Sequence, residues 1–181
     1  MTALKGSRTE ANLRTAFAGE SQARNKYTYF AAVAQEEGCE QIAAIFQETA
    51  DNEKEHAKIW FKLLEGLGDT SANLKAAAEG ENYEWTTMYK DFAAEARSEG
   101  FNDVAMLFDL VGKIEAEHEK RYNALLESLT GGALFLRDDV VIWKCRNCGH
   151  MHVGKRAPGK CAVCKYPQAY FEQVVGVTVG A

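Results

Sequence analysis

The sequence predicts an all-α four-helix bundle followed by a small, mainly β metal-binding domain. Residues 8 to 130 are rich in Ala, Glu, Lys, Leu and Gln, contain no proline, and carry apolar residues at spacings of three and four. From about residue 138 this periodicity stops, and four cysteines crowd between 145 and 164. We therefore expect a bundle over 1–135 and a second domain over 136–181.

Size, composition and charge narrow the class of protein. A chain of 181 residues supports one ordinary domain, or one with a small appendage. A net charge of −5 argues against a general nucleic-acid binder. The first residues lack the apolar core of a signal peptide, and no stretch reaches the length of a membrane span. We expect a cytoplasmic protein with no nucleic-acid or membrane partner.

Turn residues divide the first part into four helices. Gly38, Gly100 and the glycine pair at 131–132 each follow a helical run, where glycine commonly caps the helix, and "GLGDTSA" interrupts the pattern near residue 66. The predicted helices are 8–37, 39–66, 71–99 and 101–129. They form two consecutive hairpins, 8–66 and 71–130.

The second hairpin repeats the first at an interval of 62 residues. The matched pairs are Tyr27 and Tyr89, Phe30 and Phe92, Phe46 and Phe108, Glu53 and Glu115, and His56 and His118. Matched aromatic residues indicate only a common packing scheme. The matched Glu-x-x-His pairs indicate more, because core packing does not need these side chains, and positions three apart share a helical face.

Hairpin geometry brings further carboxylates to the level of these pairs. Glu20 lies about 27 Å of helix before the turn at Gly38, and Glu53 lies about 22 Å after it, at ~1.5 Å per residue. In the second hairpin the residue matched to Glu20 is asparagine, flanked by Glu81 and Glu84. Both glutamates are candidates, although one of them could be a solvated helix residue.

Several carboxylates at one level of a bundle repel each other unless cations compensate them. Oxygen-rich ligation with one imidazole per metal suits a pair of iron or manganese ions. Single glutamates on two helices and Glu-x-x-His on the other two are the ligand set of ferritin-like di-iron bundles. A surface ion pair would explain one such motif but not two in register.

The C-terminal part carries two Cys-x-x-Cys motifs, Cys145 with Cys148 and Cys161 with Cys164. Paired motifs of this kind supply four thiolates to zinc or to a single iron, and the spacing does not distinguish the two. About forty residues bury too little apolar surface to be stable unaided, so we expect the metal to be required for folding. The runs "DVVIWKC" and "QAYFEQVVGV" are predicted strands.

The segments "GESQARNKYTYF", "ETADNEKEH", "GENYEWTTMYKDFA" and "IEAEHEKRY", followed by "WKCRNCGHMHVGKRAPGKCAVCKYPQAYF", resemble the rubrerythrin family over essentially the whole chain. The resemblance implies a ferritin-like di-iron bundle fused to a rubredoxin-like domain. It also implies an oxidoreductase of the oxidative-stress response, a peroxidase that reduces hydrogen peroxide to water. The cofactors would be two iron ions in a di-iron-oxo centre and one in Fe(Cys)4, with electrons from a rubredoxin or an NAD(P)H-dependent reductase.

The resemblance assigns roles to individual residues. Glu53 and Glu115 would bridge the two irons. Glu20 would be a terminal ligand of one iron, where Glu84 and His56 would alternate between the oxidised and reduced states.

Glu81 and His118 would hold the other iron. Tyr27 and Tyr89 would hydrogen-bond to ligand carboxylates, although each could equally be a core aromatic residue. In the cysteine domain, Lys165 follows the second Cys-x-x-Cys motif at a position where rubredoxins often have glycine. This departure bears on the redox potential of the site more than on its fold.

The connection near "GLGDT" predicts how two chains assemble. In a ferritin-like bundle the second and third helices run parallel, so this segment must return roughly 30 Å, with ~3.3–3.6 Å available per residue. We expect a homodimer in which the hairpins are exchanged. If residues 67 to 80 are all extended, the connection reaches and no exchange is needed.

Two other functions compete with the peroxidase. A ferroxidase or iron-handling protein would use the bundle, but storage needs no thiolate relay. A zinc-ribbon interaction protein would explain the cysteines but not the carboxylates. Cys39, His150 and His152 have no required role in either site, and we expect the two histidines to lie on the surface.

Overall fold

The computed structural model of the protein describes residues 4–175. The chain divides into two compact units, with the division between Asp69 and Thr70. The helical part precedes a small antiparallel sheet, which confirms the predicted fold class.

The first unit is a helical hairpin, α1 (Arg8–Glu36) and α2 (Glu40–Leu63). Helix α1 begins where the Ser7 hydroxyl accepts a hydrogen bond from the Glu10 N–H, an ordinary N-cap. It ends at Glu36, two residues before Gly38, whose φ of +75° is the left-handed conformation that glycine adopts without strain. Predicted and observed ends agree closely for α1, whereas α2 ends three residues earlier than predicted.

The second unit begins with another hairpin. It consists of α3 (Thr70–Tyr83), a π segment (Glu84–Met88), α4 (Tyr89–Ser98) and α5 (Asn102–Thr130). The predicted single helix over 71–99 is thus interrupted by one π-helical stretch. Gly100, at φ +89°, repeats the turn made by Gly38.

The two hairpins are packed in the same way. Their buried residues, within the described chain, are alanines: Ala31, Ala34, Ala43, Ala50 and Ala57 in the first, and Ala78, Ala93, Ala96 and Ala105 in the second. Each hairpin also carries a triad of aromatic rings with centroids 5.6–6.5 Å apart, made by Tyr27, Phe30 and Phe46 and by Tyr89, Phe92 and Phe108. The duplication therefore extends to side-chain packing.

The C-terminal sheet contains β1 (Leu136–Cys145), β2 (Met151–Arg156) and β3 (Phe171–Gln173), in the order β2-β1-β3. Its core consists of Trp143, Cys145, Ala157, Cys161 and Phe171. The first predicted strand lies within β1. The second predicted strand starts as a 3₁₀ turn before β3, and its last residues lie outside the described chain. The domain boundary near residue 135 stays a prediction.

Within residues 4–175, no helix combines the length and the apolar character needed to cross a bilayer.

Candidate metal centres

The first hairpin brings Glu20 of α1 together with Glu53 and His56 of α2. One ligand atom of each lies within 4.8 Å of the others. The His56 Nδ1 is 2.7 Å from a Glu53 carboxylate oxygen and 3.9 Å from a Glu20 oxygen. This is the juxtaposition that the hairpin lengths predict.

The second hairpin repeats the cluster with Glu81, Glu115 and His118, again within 4.8 Å. The His118 Nδ1 is 2.6 Å from a Glu115 oxygen and 3.7 Å from a Glu81 oxygen. The two hairpins therefore hold their carboxylate and imidazole groups at closely similar distances.

The π segment explains why Glu81, rather than the residue matched by the repeat, occupies the place of Glu20. Glu20 precedes Tyr27 by seven residues, whereas Glu81 precedes Tyr89 by eight. The Tyr89 N–H donates to the Glu84 carbonyl, an i→i+5 bond that accommodates one extra residue in the turn. The extra residue places Glu81 on the helix face that corresponds to the face of Glu20 in the first hairpin. It also brings Glu84 into the same region.

Glu84 lies outside the three-residue cluster but close enough for its charge to act on it. Burial, and then the Glu115 and Glu84 carboxylates, raise the pKa of Glu81. Burial, followed by Glu84, Glu115 and Glu81, raises the pKa of Tyr89. The Tyr89 side chain is therefore both a member of its aromatic triad and a neighbour of the carboxylates.

The donor sets fit a metal. Grouped carboxylates, among which Glu81 has a raised pKa, form a site where a cation would offset the repulsion, and oxygen donors with one imidazole suit iron. In contrast, Glu55 pairs with Lys58 at 3.2 Å, and its side chain is 58% exposed. The acidic neighbour of the ligand pair thus points away from the cluster.

Four cysteines form a second type of cluster. Cys145 and Cys164 have their Sγ atoms 3.7 Å apart, as do Cys148 and Cys161. All four sulfur atoms lie within 4.8 Å of one another. A tetrahedral metal with bonds of ~2.3 Å requires sulfur atoms about 3.8 Å apart, so the cluster fits such an ion.

A backbone turn shapes each of the two Cys-x-x-Cys motifs in this cluster. Gly149 and Lys165, which follow the second cysteine of each motif, have φ values of +77° and +63°. The Tyr166 backbone N–H, followed by the Asn147 side chain, lowers the pKa of Cys164 to about 6. Such amides stabilise the thiolate form that binds metal.

The remaining candidate residues, Cys39, His150 and His152, do not belong to the metal-binding clusters. Cys39 precedes α2, and its Sγ is 3.9 Å from the Glu37 carbonyl oxygen. His150 and His152 are half-buried rather than fully on the surface, and His152 pairs with Trp143 across the β1–β2 ladder.

One residue near the second cluster escaped sequence reasoning. The Glu119 carboxylate accepts hydrogen bonds from the Trp85 Nε1–H at 2.5 Å and from the Asn82 Nδ2–H at 3.1 Å. The repeat carries a signal for it, since alanine stands at the positions of the first hairpin matched to Glu119 and Trp85.

Comparison with known proteins agrees with this organisation. The family model described as Rubrerythrin matches residues 11–126, and the model described as Rubrerythrin, rubredoxin-like domain, matches residues 143–172. A rubrerythrin of Porphyromonas gingivalis is 52% identical over 93% of this chain and 91% of that protein. A rubrerythrin of Nitratidesulfovibrio vulgaris is 48% identical over 95% and 97%.

A structural comparison finds nigerythrin in a partially reduced state, 31% identical, covering 96% of this chain and 92% of that one, with a TM-score of 0.36.

The matches span both the helical part and the cysteine domain. The four cysteines form a rubredoxin-like Fe(Cys)4 site, and the glutamate and histidine groups fit a di-iron centre. By its sequence and its metal-binding groups, the chain belongs to the rubrerythrin family.

Proposed function

We propose that this protein reduces hydrogen peroxide to water, taking electrons through the Fe(Cys)4 site from a rubredoxin or an NAD(P)H-dependent reductase. The observation that carries the proposal is the presence, in one chain, of two carboxylate–imidazole clusters and a thiolate cluster. The reaction consumes one peroxide, two electrons and two protons, breaks the O–O bond, and yields two waters.

Iron bound at the carboxylate clusters supplies the two electrons. Residues of the chain itself would bind the ions and form their surroundings. Glu20, Glu53, Glu81 and Glu115 would hold the two iron ions through their carboxylates. Of the two histidines, His56 is proposed to alternate with Glu84. Its side chain is 52% exposed, against 37% for His118, which supports the more mobile role for His56.

Tyr89 is proposed to donate a hydrogen bond to a ligand carboxylate, and Tyr27 to do the same in the first hairpin. The causes of the raised pKa of Tyr89 support this, since they include the nearby carboxylates of Glu84, Glu115 and Glu81. The free thiols of the described chain suit the reducing cytoplasm, which we propose as the compartment.

Peroxide consumption by the reduced, iron-loaded protein tests the proposal. We expect about three irons per chain, a red ferric-thiolate colour, and rapid loss of peroxide. Glu53→Ala should abolish most of this activity, because it removes a proposed metal ligand. Glu55→Ala is the matched control, since Glu55 lies two residues away and pairs only with Lys58 among the ion pairs described.

Two results would contradict the proposal. Zinc in place of iron, with no visible colour, would favour a structural module. Iron(II) oxidation by dioxygen with retention of many ferric ions per chain, and no peroxide turnover, would favour the ferroxidase alternative.

We further propose that the working molecule is a homodimer in which each di-iron site combines the first hairpin of one chain with the second hairpin of its partner. Helix α2 ends at Leu63 and α3 begins at Thr70, so residues 70 to 83 are helical rather than extended. The alternative in which residues 67 to 80 reach across as an extended segment is therefore wrong.

The length of the connection supports the exchange. His56 lies ~10.5 Å of helix before Leu63, and Glu81 lies ~16.5 Å after Thr70. Placing both at one level on parallel helices within a single chain requires a return of about 27 Å. The segment from Leu63 to Thr70 extends to ~25 Å at most.

The start of the connection is also curled, which shortens it further. The Gly66 N–H donates to the Phe61 carbonyl at 2.9 Å, and Glu65 takes a left-handed φ of +57°. Only the part from Gly66 to Thr70 is left to extend, a reach of about 14 Å.

Complementation between two inactive variants tests the exchange. Glu53→Ala and Glu115→Ala chains, unfolded and refolded together with iron, should regain peroxide turnover in the mixed dimer. With exchange, one of its two sites receives both altered hairpins and the other receives neither. Without exchange, every site carries one substitution, so a mixture as inactive as either variant alone would contradict the exchange.

A further inference from the structure

The second hairpin contains a cross-helix contact that joins its two arms beside the metal cluster. The two oxygens of Glu119, on α5, accept the Asn82 and Trp85 hydrogen bonds at 3.1 and 2.5 Å. Asn82 directly follows Glu81, and Trp85 directly follows Glu84. One carboxylate on α5 therefore holds the chain next to both candidate ligands.

This contact is made at the start of the π segment. Trp85 is half-buried, and the Lys90 ammonium lies 5.2 Å from the centroid of its ring. A π-helical turn is rare and is found mostly at functional sites. Because its geometry is less favourable than that of an α-helix, contacts from outside the turn are needed to hold it in one position.

The first hairpin has neither feature. Alanines 23 and 57 stand where Trp85 and Glu119 stand in the second hairpin, and α1 is α-helical from Arg8 to Glu36. The contact therefore accompanies the π segment, and it is not part of the scaffold that the two hairpins share.

We propose that Glu119 is a positioning residue, which fixes the π segment against α5 and so sets where the Glu84 carboxylate lies beside the cluster of Glu81, Glu115 and His118. The inference rests on the proposed function only in that this cluster binds metal. Groups that orient ligands typically affect metal affinity 10- to 100-fold, which gives the expected size of the effect.

Titration of the full-length, metal-free chain with cobalt(II) tests the role without any turnover. Cobalt in the thiolate cluster gives an intense charge-transfer band, whereas cobalt bound by carboxylate and imidazole gives weak bands, so the sites are read separately. Glu119→Ala should lower the affinity of the carboxylate sites about tenfold or more. Trp85→Phe, which keeps the ring and loses the N–H, should show a smaller loss in the same sites.

Two further variants separate positioning from other effects. Glu119→Gln keeps a carbonyl acceptor and should recover part of the affinity. Glu117→Ala removes the same charge from the same helix, but Glu117 is 70% exposed and pairs with Lys120, so cobalt affinity should not change.

Unchanged affinity in Glu119→Ala, or an equal loss in Glu117→Ala, would overturn the inference. A lower melting temperature of metal-free Glu119→Ala with unaltered cobalt affinity would show a purely structural contact and would also overturn it. Loss of peroxide turnover plays no part in this test, so the proposed reaction and the role of Glu119 succeed or fail independently.

Discussion

Two of the metal-binding thiols differ sharply in acidity although they belong to one cluster. The Tyr166 N–H and the Asn147 side chain hold the pKa of Cys164 near 6. At Cys148 the His150 N–H acts in the same direction, but burial and the neighbouring thiols raise the pKa to about 12. The hydrogen bonds among the thiols, which raise the pKa of Cys148 and lower that of Cys164, together with the Asn147 side chain at Cys164, thus determine which sulfur ionises first.

This difference predicts the order of alkylation while a chelator withdraws the metal, before the small domain has unfolded. At pH 7 Cys164 is mostly thiolate and Cys148 is a thiol, so iodoacetamide should modify Cys164 first. The rate at Cys164 should fall as the pH drops through about 6, because the thiolate is then protonated. Peptide mass spectrometry after brief labelling measures both.

Asn147→Ala provides the control, since removing its amide should move the midpoint for Cys164 to higher pH. Equal labelling of Cys148 and Cys164 at pH 7 would contradict the assignment.

At the scale of elements, glycine is favoured at the hairpin turns and disfavoured in the helix interiors. Gly38 has a left-handed φ of +75°, whereas Gly80 lies within α3. A Cβ added at either position meets no atom within 4 Å. The two sites therefore differ in backbone conformation and not in available space.

The same substitution should thus have opposite effects. Gly38→Ala should lower the free energy of unfolding by about 1 kcal/mol, because alanine is strained in the left-handed region. Gly80→Ala should raise it by about 0.5–1 kcal/mol through helix propensity. Urea unfolding of the metal-free variants gives both values, and shifts of the same sign would show that the turn does not demand glycine.

The elements also show what the sequence can predict. The glycines that follow α1 and α5 in the sequence predicted the ends of these helices to within one residue. The end of α2 was missed because the left-handed position there is Glu65, which no residue preference signals. Strand β2 was missed because it is defined by its pairing with β1.

The ligands themselves were predictable because hairpin length fixes which helical positions share a level. The π segment left only an indirect trace, the one-residue mismatch between Glu20 and Glu81. The contact of Glu119 left an even weaker trace in the sequence, because it depends on side-chain conformations across two helices.

For the whole molecule, the cysteine domain and the helices are stabilised by different means. Cys145 and Cys161 belong to the five-residue core of the sheet as well as to the metal cluster. The helices instead pack on alanines and aromatic triads that do not depend on the thiolates. Removing a thiolate ligand should therefore unfold one part only.

Cys161→Ser tests this expectation. Hydrogen–deuterium exchange should show lost protection across β1 and β2, while α1 keeps its protection, because so small a domain folds only with its metal. Retained protection in β1 would mean that the sheet folds without a complete thiolate set. Cys39→Ser is the control, since Cys39 lies outside the cluster.

The extra residue of the π segment has a consequence for how such a molecule can change over generations. A helix that absorbs one residue as a π turn leaves everything after it in place, as the matched triad of Tyr89, Phe92 and Phe108 shows. One inserted codon is then enough to make two copies of a duplicated gene segment chemically unequal without disturbing their shared architecture.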